Sequence, residues 1–321
     1  MISIEVLVSK VLMLLFLVVP GFILAKCGLA PEKLGKGLAS IILYVAQPAL
    51  IIMAYDCDFS TDILIRAGFV LLFSVLAHIM YTVLAFVVYR KSPATVKRVL
   101  QFATIFTNAG YMGIPLLEAL YRDMDPNVGI YASIYVIVFN FFCWSVGCYI
   151  YSGDKKYMSP KKIFLNPAVI ATVFGLLLFF TPLNRWLNGE MLIAGVVRDI
   201  LVALKGTVAP LSMLLIGLRL AEVDFRTAFR DCYLYPYIAL RMLILPAMTF
   251  GMVKLFAIFG IYDDLTATTV LLLSAAAPAA TATGMFAEMF DDNAVYAGKL
   301  VAVTTVLSVV TMPLVALLLY I

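Results

Sequence analysis

Asn108–Glu118 reads NAGYMGIPLLE, and Pro278–Glu288 reads PAATATGMFAE. In each, an amide or a proline precedes a glutamate by ten residues. Glycine weakens a helix, and proline removes a backbone donor and clashes with the preceding turn. Gly110, Gly113 and Pro115 therefore predict a break in the first stretch. Pro278, with Ser274, Thr281 and Thr283 around it, predicts one in the second. Backbone freed at membrane depth is tolerated only where protein or a water-lined cavity satisfies it. The plainer alternative is a proline kink with small residues for close packing.

Both stretches sit in a chain of 321 residues that is 64% hydrophobic and 13% charged. Soluble domains run nearer half apolar and about a quarter charged. A spanning helix needs ~20 apolar residues to cross ~30 Å of hydrocarbon. Largely uncharged stretches predict ten spans: one near Val6–Ala25 with Lys10 inside it, Gly37–Tyr55, Ala67–Tyr89, Val99–Leu117, Pro126–Tyr151, Ile163–Leu183, a short Gly206–Leu218, Tyr233–Val253 with Arg241 inside it, Leu265–Ala287, and Leu300 to the C-terminus. The charge-free run Val11–Ala25 after Lys10 looks like a secretory leader. It is read as span 1, because a matching helix opens the second half.

The two halves echo each other. Tyr131-Ala132 and Tyr296-Ala297 follow the two glutamates. Spans 2 and 7 carry Pro48 and Pro210, and each leads to an Asp-Phe pair, Asp58-Phe59 and Asp224-Phe225. A five-helix unit repeated once re-enters the membrane from the opposite side, an architecture of secondary transporters. The expected fold is an all-α integral membrane protein of ten spans in two inverted repeats, 1–158 and 159–321, with spans 4 and 9 broken. Alternating connections hold 15 lysines and arginines on one side and 7 on the other, with Arg241 inside a span. The positive-inside rule then sets both termini outside the cell membrane.

Two broken helices direct N-terminal N–H groups and partial positive charge at the midplane, which favours an anion. Asn108 adds an amide donor. A carboxylate-bearing organic anion is the expected substrate class.

These residues also resemble a known family. TNAGYMGIPLLEALY at Thr107–Tyr121 resembles the fourth-helix signature of the auxin efflux carriers. Pro278 with Phe286-Ala287-Glu288 resembles the ninth-helix pattern. Asn140 and Trp144, and the stretch Thr304–Pro313, are similar as well. The resemblance implies that spans 4 and 9 cross at a central site. It also implies a scaffold of spans 1, 2, 6 and 7, a transport group of spans 3–5 and 8–10, and a homodimer. The short connection Ser152–Lys162 resembles bacterial members, which export or exchange small carboxylates. Ala279 and Ala280 follow Pro278 where plant carriers have a polar residue.

The expected substrate-binding residues are Gln47, Asn108, Gly110, Tyr111, Gly113, Asn140, Arg241, Pro278 and Thr281. Arg241 either meets a substrate carboxylate or serves a structural partner. Gln47 either reaches the crossover or satisfies backbone freed by Pro48. His78, the only histidine, is read as a neutral hydrogen-bonded group rather than a proton relay. Glu118 and Glu288 are read as solvated interfacial groups. Cys27, Cys57, Cys143, Cys148 and Cys232 form no C-x-x-C pair, so neither a metal nor a cofactor is expected. Nothing points to nucleic acid.

The leading function is a carrier for organic anions. The alternative is a sodium-coupled importer of the bile acid symporter type, which needs a carboxylate cage that spans 4 and 9 lack internally. A membrane enzyme needs a nucleophile with its base, paired acids or a metal, and the chain offers none of these patterns. A receptor or channel is separated from a carrier by saturable flux.

Overall fold

The computed structural model describes residues 16–31, 33–121, 124–154, 164–189, 191–222 and 230–320, with positions 5, 9 and 12–14. The basic connection Lys155–Lys162, the Asp224-Phe225 pair and Arg122 lie outside the described residues.

The described chain is helical. Its first half comprises α1 (Val18–Lys26), α2 (Leu34–Ala54), α3 (Thr61–Lys91), α4 (Ala94–Ile105), α5 (Ile114–Tyr121) and α6 (Val128–Ser152). The second half comprises α7 (Pro167–Phe180), a short α8 (Leu183–Leu187), α9 (Leu192–Ala221), α10 (Leu234–Ile258), α11 (Leu265–Ala276), α12 (Ala282–Met289) and α13 (Ala294–Ala316). Five helices, α2, α3, α6, α9 and α10, are long and apolar enough to cross a membrane. A sixth span arises if Ala294–Ser308 and Val310–Tyr320, bent by 56°, count as one. This is a multi-pass membrane protein.

Three helices start at side chains that satisfy one of their first N–H groups. The side chains of Asn166, Asp264 and Asn293 accept from Ala168 N (2.9 Å), Ala267 N (2.7 Å) and Tyr296 N (3.0 Å) at the heads of α7, α11 and α13. Pro167 occupies the first turn of α7, where no donor is needed.

Several helices begin earlier than charge-free runs predict. The largest correction is span 7. It is not short: α9 covers 30 residues and holds Arg198, Asp199 and Lys205 within its first half. Those charges find partners. Arg198 Nε lies 3.5 Å from Asp56, and Lys205 Nζ lies 2.9 Å from Glu118. Likewise α4 starts after Pro93 with Lys97 and Arg98 inside it, and α13 contains Lys299, 2.8 Å from Asp231. A charge paired near a helix end does not end the helix.

Apolar side chains cover much of the outside. On α7, Val173, Phe174, Leu177 and Phe180 are exposed, as are Leu71, Leu72, Val83 and Val87 on α3. Water-exposed patches of this extent drive association; in a bilayer they meet lipid. Inside, α1 and α9 cross closely. A Cβ on Gly217 would lie 2.1 Å from Val18 O, and one on Gly21 would lie 2.2 Å from Leu214 O. Only glycine admits that approach.

Candidate functional site

Helices α4 and α11 both stop at mid-protein, and the chain beyond each is extended. Phe106 has φ −102°, ψ 120°, and Ala277 has φ −57°, ψ 148°. The two extended pieces lie antiparallel and form one bridge, between Thr107 and Ala279. Asn108 N donates to Pro278 O at 2.7 Å, and Ala280 N donates to Phe106 O at 2.9 Å. Ala279 N donates to Thr304 Oγ1 at 3.1 Å. In a continuous helix Ala279 N would bond Ala275 O, and Thr281 N would bond Ala277 O. Arg241 fills both vacancies, donating to Ala275 O at 2.8 Å and Ala277 O at 2.7 Å. Broken backbone is thus satisfied from within the protein, as burial requires.

Beyond the breaks the chain turns back into helix. Asn108 precedes a π-helical turn, Ala109–Gly113, which leads into α5. Asn108 O accepts from Met112 N and Gly113 N. Its side chain is 3% exposed, and Nδ2 has no protein partner. On the other side α12 starts at Ala282. Between these two helix starts lies a chamber of about 100 Å³.

Six of the nine residues singled out from sequence line this chamber: Gln47, Asn108, Gly110, Tyr111, Asn140 and Thr281. Gln47 Nε2 rests against Gly110, where an added Cβ would stand 3.0 Å away. Asn140 Nδ2 donates to Val136 O, and its oxygen accepts from Asn166 Nδ2 at 3.2 Å. Among the described lining residues none is charged; amides and hydroxyls stand among aliphatic side chains such as Leu43, Val136 and Met285 and the rings of Phe139, Trp144 and Phe286. The other three stand outside. Gly113 lies within the π turn, Pro278 supplies a carbonyl to the bridge, and Arg241 is fully buried against the end of α11.

A larger cavity, about 260 Å³, shares Tyr111, Thr281 and Met285 with the chamber and extends to Arg219, Glu222 and Glu288. Glu288 is exposed there. Glu118 departs from the solvated reading: its side chain is 16% exposed and ion-paired to Lys205. His78 is buried with Nδ1 2.8 Å from Ser74 O, while Nε2 has no partner.

Sequence reasoning missed two features. One is Asn166, at the head of α7, whose amide fixes Asn140. The other is a set of π-helical turns. Ile42–Ala46, Ala109–Gly113 and Cys143–Gly147 each contribute to the chamber wall, and Ala239–Ile244 holds Arg241. Three of these four are followed within two residues by Pro48, Pro115 and Pro246. The ring clashes with the carbonyl four residues back, and a widened turn relieves the clash. A proline after a small or apolar turn was the available signal.

A multi-pass helical protein with a largely apolar chamber that carries a few polar side chains between two interrupted helices has the anatomy of a membrane transporter. Sequence comparison agrees: the membrane transport protein family matches residues 6–316. The chain belongs to this family, the auxin efflux carrier family. It is also 26% identical over 315 residues to an uncharacterized transporter of Methanothermobacter thermautotrophicus, covering 95% of this chain and 96% of the relative. Both comparisons indicate transport rather than catalysis.

Proposed function

We propose that the protein is a secondary carrier that moves small organic anions, carboxylates in particular, across the cell membrane by alternating access. On this reading the ten expected spans form two inverted five-helix repeats. Helices α1, α2, α7 and α9 make a scaffold, α3–α6 and α10–α13 make a moving group, and two copies pair. The observation that carries the proposal is the buried, unpartnered Nδ2 of Asn108 in a chamber between the π turn ahead of α5 and the start of α12. Helix starts and amide donors favour negative charge. The neighbouring amides of Gln47 and Asn140 and the hydroxyl of Thr281 add adjustable polar contacts.

The ion pairs support the alternating topology. Asp62, Asp125 and Asp264 around Arg66, Arg198 with Asp56, and Lys205 with Glu118 all belong to the connections expected outside. Arg98 with Asp292, Arg219 with Glu222, and Lys299 with Asp231 belong to those expected inside. On this reading the larger cavity, which reaches Arg219, Glu222 and Glu288, opens toward the inside.

The test is uptake of radiolabelled malonate, malate and lactate into vesicles containing the purified protein. Saturable flux, with cross-competition and without a sodium requirement, supports the proposal. Flux that needs sodium favours the symporter alternative, and non-saturating flux favours a channel.

A further inference from the structure

One ion pair stands apart from the rest. Arg66 and its three aspartates, Arg98–Asp292 and Lys299–Asp231 lie on the helices assigned to the moving group or on the connections between them. Arg198 of α9 pairs with Asp56, just past the end of α2, and Arg219 of α9 pairs with Glu222 at the end of its own helix, all on scaffold helices or their ends. Among the described residues only Lys205–Glu118, at 2.9 Å, joins a scaffold helix, α9, to a moving one, α5. Both side chains are 16% exposed. The Glu118 carboxylate sits in a notch: a Cβ on Gly129 of α6 would lie 2.9 Å from Glu118 Oε1 and 3.0 Å from Ala54 Cβ of α2. The pair therefore sits on the seam between the two groups, at the end of the protein opposite the larger cavity.

At the other end the seam is open. The larger cavity runs between Leu215 and Arg219 of α9 and Met285 and Glu288 of α12. The Arg219 side chain is 39% exposed there, and among the described residues its guanidinium pairs with Glu222 of its own helix end, at 3.3 Å. Glu288 occupies in the second half the place that Glu118 occupies in the first, ten residues beyond the break.

We infer that Glu118–Lys205 is the outer ionic gate of the carrier, and that Glu288 and Arg219 are its inner counterpart, parted in this state and brought together when the outer pair separates. Exchange of one ion pair for another keeps the two states close in electrostatic energy, so that a ligand of modest differential affinity can shift the balance. The inference rests on the alternating-access reading.

The test uses the full chain in vesicles with Cys27, Cys57 and Cys232 changed to Ser and Met285→Cys added, because Met285 lines both cavities. A membrane-impermeant maleimide is applied from either face. In the parent, labelling from the inner face dominates. Glu118→Gln and Lys205→Met each raise outer-face labelling several-fold, and the exchange Glu118→Lys with Lys205→Glu returns it toward the parent. Arg219→Gln or Glu288→Gln shifts labelling the other way. Unchanged outer labelling in Glu118→Gln and Lys205→Met, in protein that elutes as a single species, overturns the gate. In that case inner labelling that malonate protects leaves the carrier reading standing. A Met285→Cys side chain that labels from neither face overturns the carrier reading and the gate with it.

Discussion

Asn108 is held by its backbone, whose N–H and carbonyl are both bonded, while its amide Nδ2 is buried without a partner. Leaving such a donor unmade costs ~1–3 kcal/mol, and a bond to a charged acceptor returns ~1.5–3 kcal/mol. Asn108→Ala is therefore expected to fold at least as well as the parent and to bind carboxylates about ten- to a hundred-fold more weakly, read by thermal shift over a ligand series. Asn108→Asp places like charge against the anion and is expected to bind worse still. Transport by Asn108→Asp at the parent's rate at neutral pH would remove the anion from this chamber. Arg241 behaves differently. Its two bonds hold the carbonyls at the end of α11, so Arg241→Ala leaves two buried acceptors bare at ~1–3 kcal/mol each. Its loss is expected to lower the unfolding temperature, with Arg241→Lys intermediate. A well-folded Arg241→Ala protein with weak binding would instead give it the substrate role. The sequence marked both residues as costly to bury. It did not separate them, because one faces a chamber and the other faces backbone, and that distinction depends on the crossing of two distant segments.

Breaks in α4–α5 and α11–α12 were legible from Gly110, Gly113, Pro115 and Pro278, since backbone chemistry acts locally. Helix ends were less so. Arg198, Lys205, Arg98 and Lys299 argue for loops when read alone, yet each has an acidic partner far away in the chain. Close packing was invisible too: Gly217 resembles any other glycine until α1 lies on it. Gly217→Ala is expected to push α1 and α9 apart and destabilise the protein by ~1–3 kcal/mol, seen as a lower unfolding temperature in detergent. Gly251→Ala, where nothing lies within 4 Å of the added atom, serves as the control. At the inner face Asp231 ties the start of α10 to α13. Burial works to raise its carboxyl, but hydrogen bonds from Lys299 and Tyr233 N outweigh burial and hold it below the usual range. A depressed carboxylate stabilises the fold above its unfolded pKa of ~3.9, and that contribution fades as pH falls through the folded value. Asp231→Asn is expected to flatten the acid side of a stability–pH profile measured by thermal unfolding.

At the scale of the whole molecule, orientation was read from charge alone, 15 basic residues against 7, and the ion pairs group the connections by face without saying which face is outside. Arg66 is ringed by Asp62 at 2.9 Å, Asp264 at 3.1 Å and Asp125 at 3.4 Å, which draws together connections 59 and 198 residues apart in the chain. These contacts gather the starts of α3, α6 and α11, so those helix starts share one face. Arg98 with Asp292 and Lys299 with Asp231 gather the other connections in the same way. A bilayer keeps cationic side chains on the cytoplasmic side more strongly than it sorts acidic ones. The face holding the Arg66 cluster is expected to be outside, and the basic connection Lys155–Lys162 inside. Single cysteines at Asp62 and Lys156, in a chain whose exposed cysteines are serine, should react with an impermeant maleimide in opposite preparations: Asp62→Cys in intact cells, Lys156→Cys only in inverted vesicles. The expected spans 3, 4 and 5 separate these two positions. An odd number of crossings puts them on opposite sides, whereas a fourth span that entered and left by one face would put both on the same side. Labelling of both from intact cells would therefore overturn the ten-span reading at the very segment, Thr107–Tyr121, on which the expected site depends.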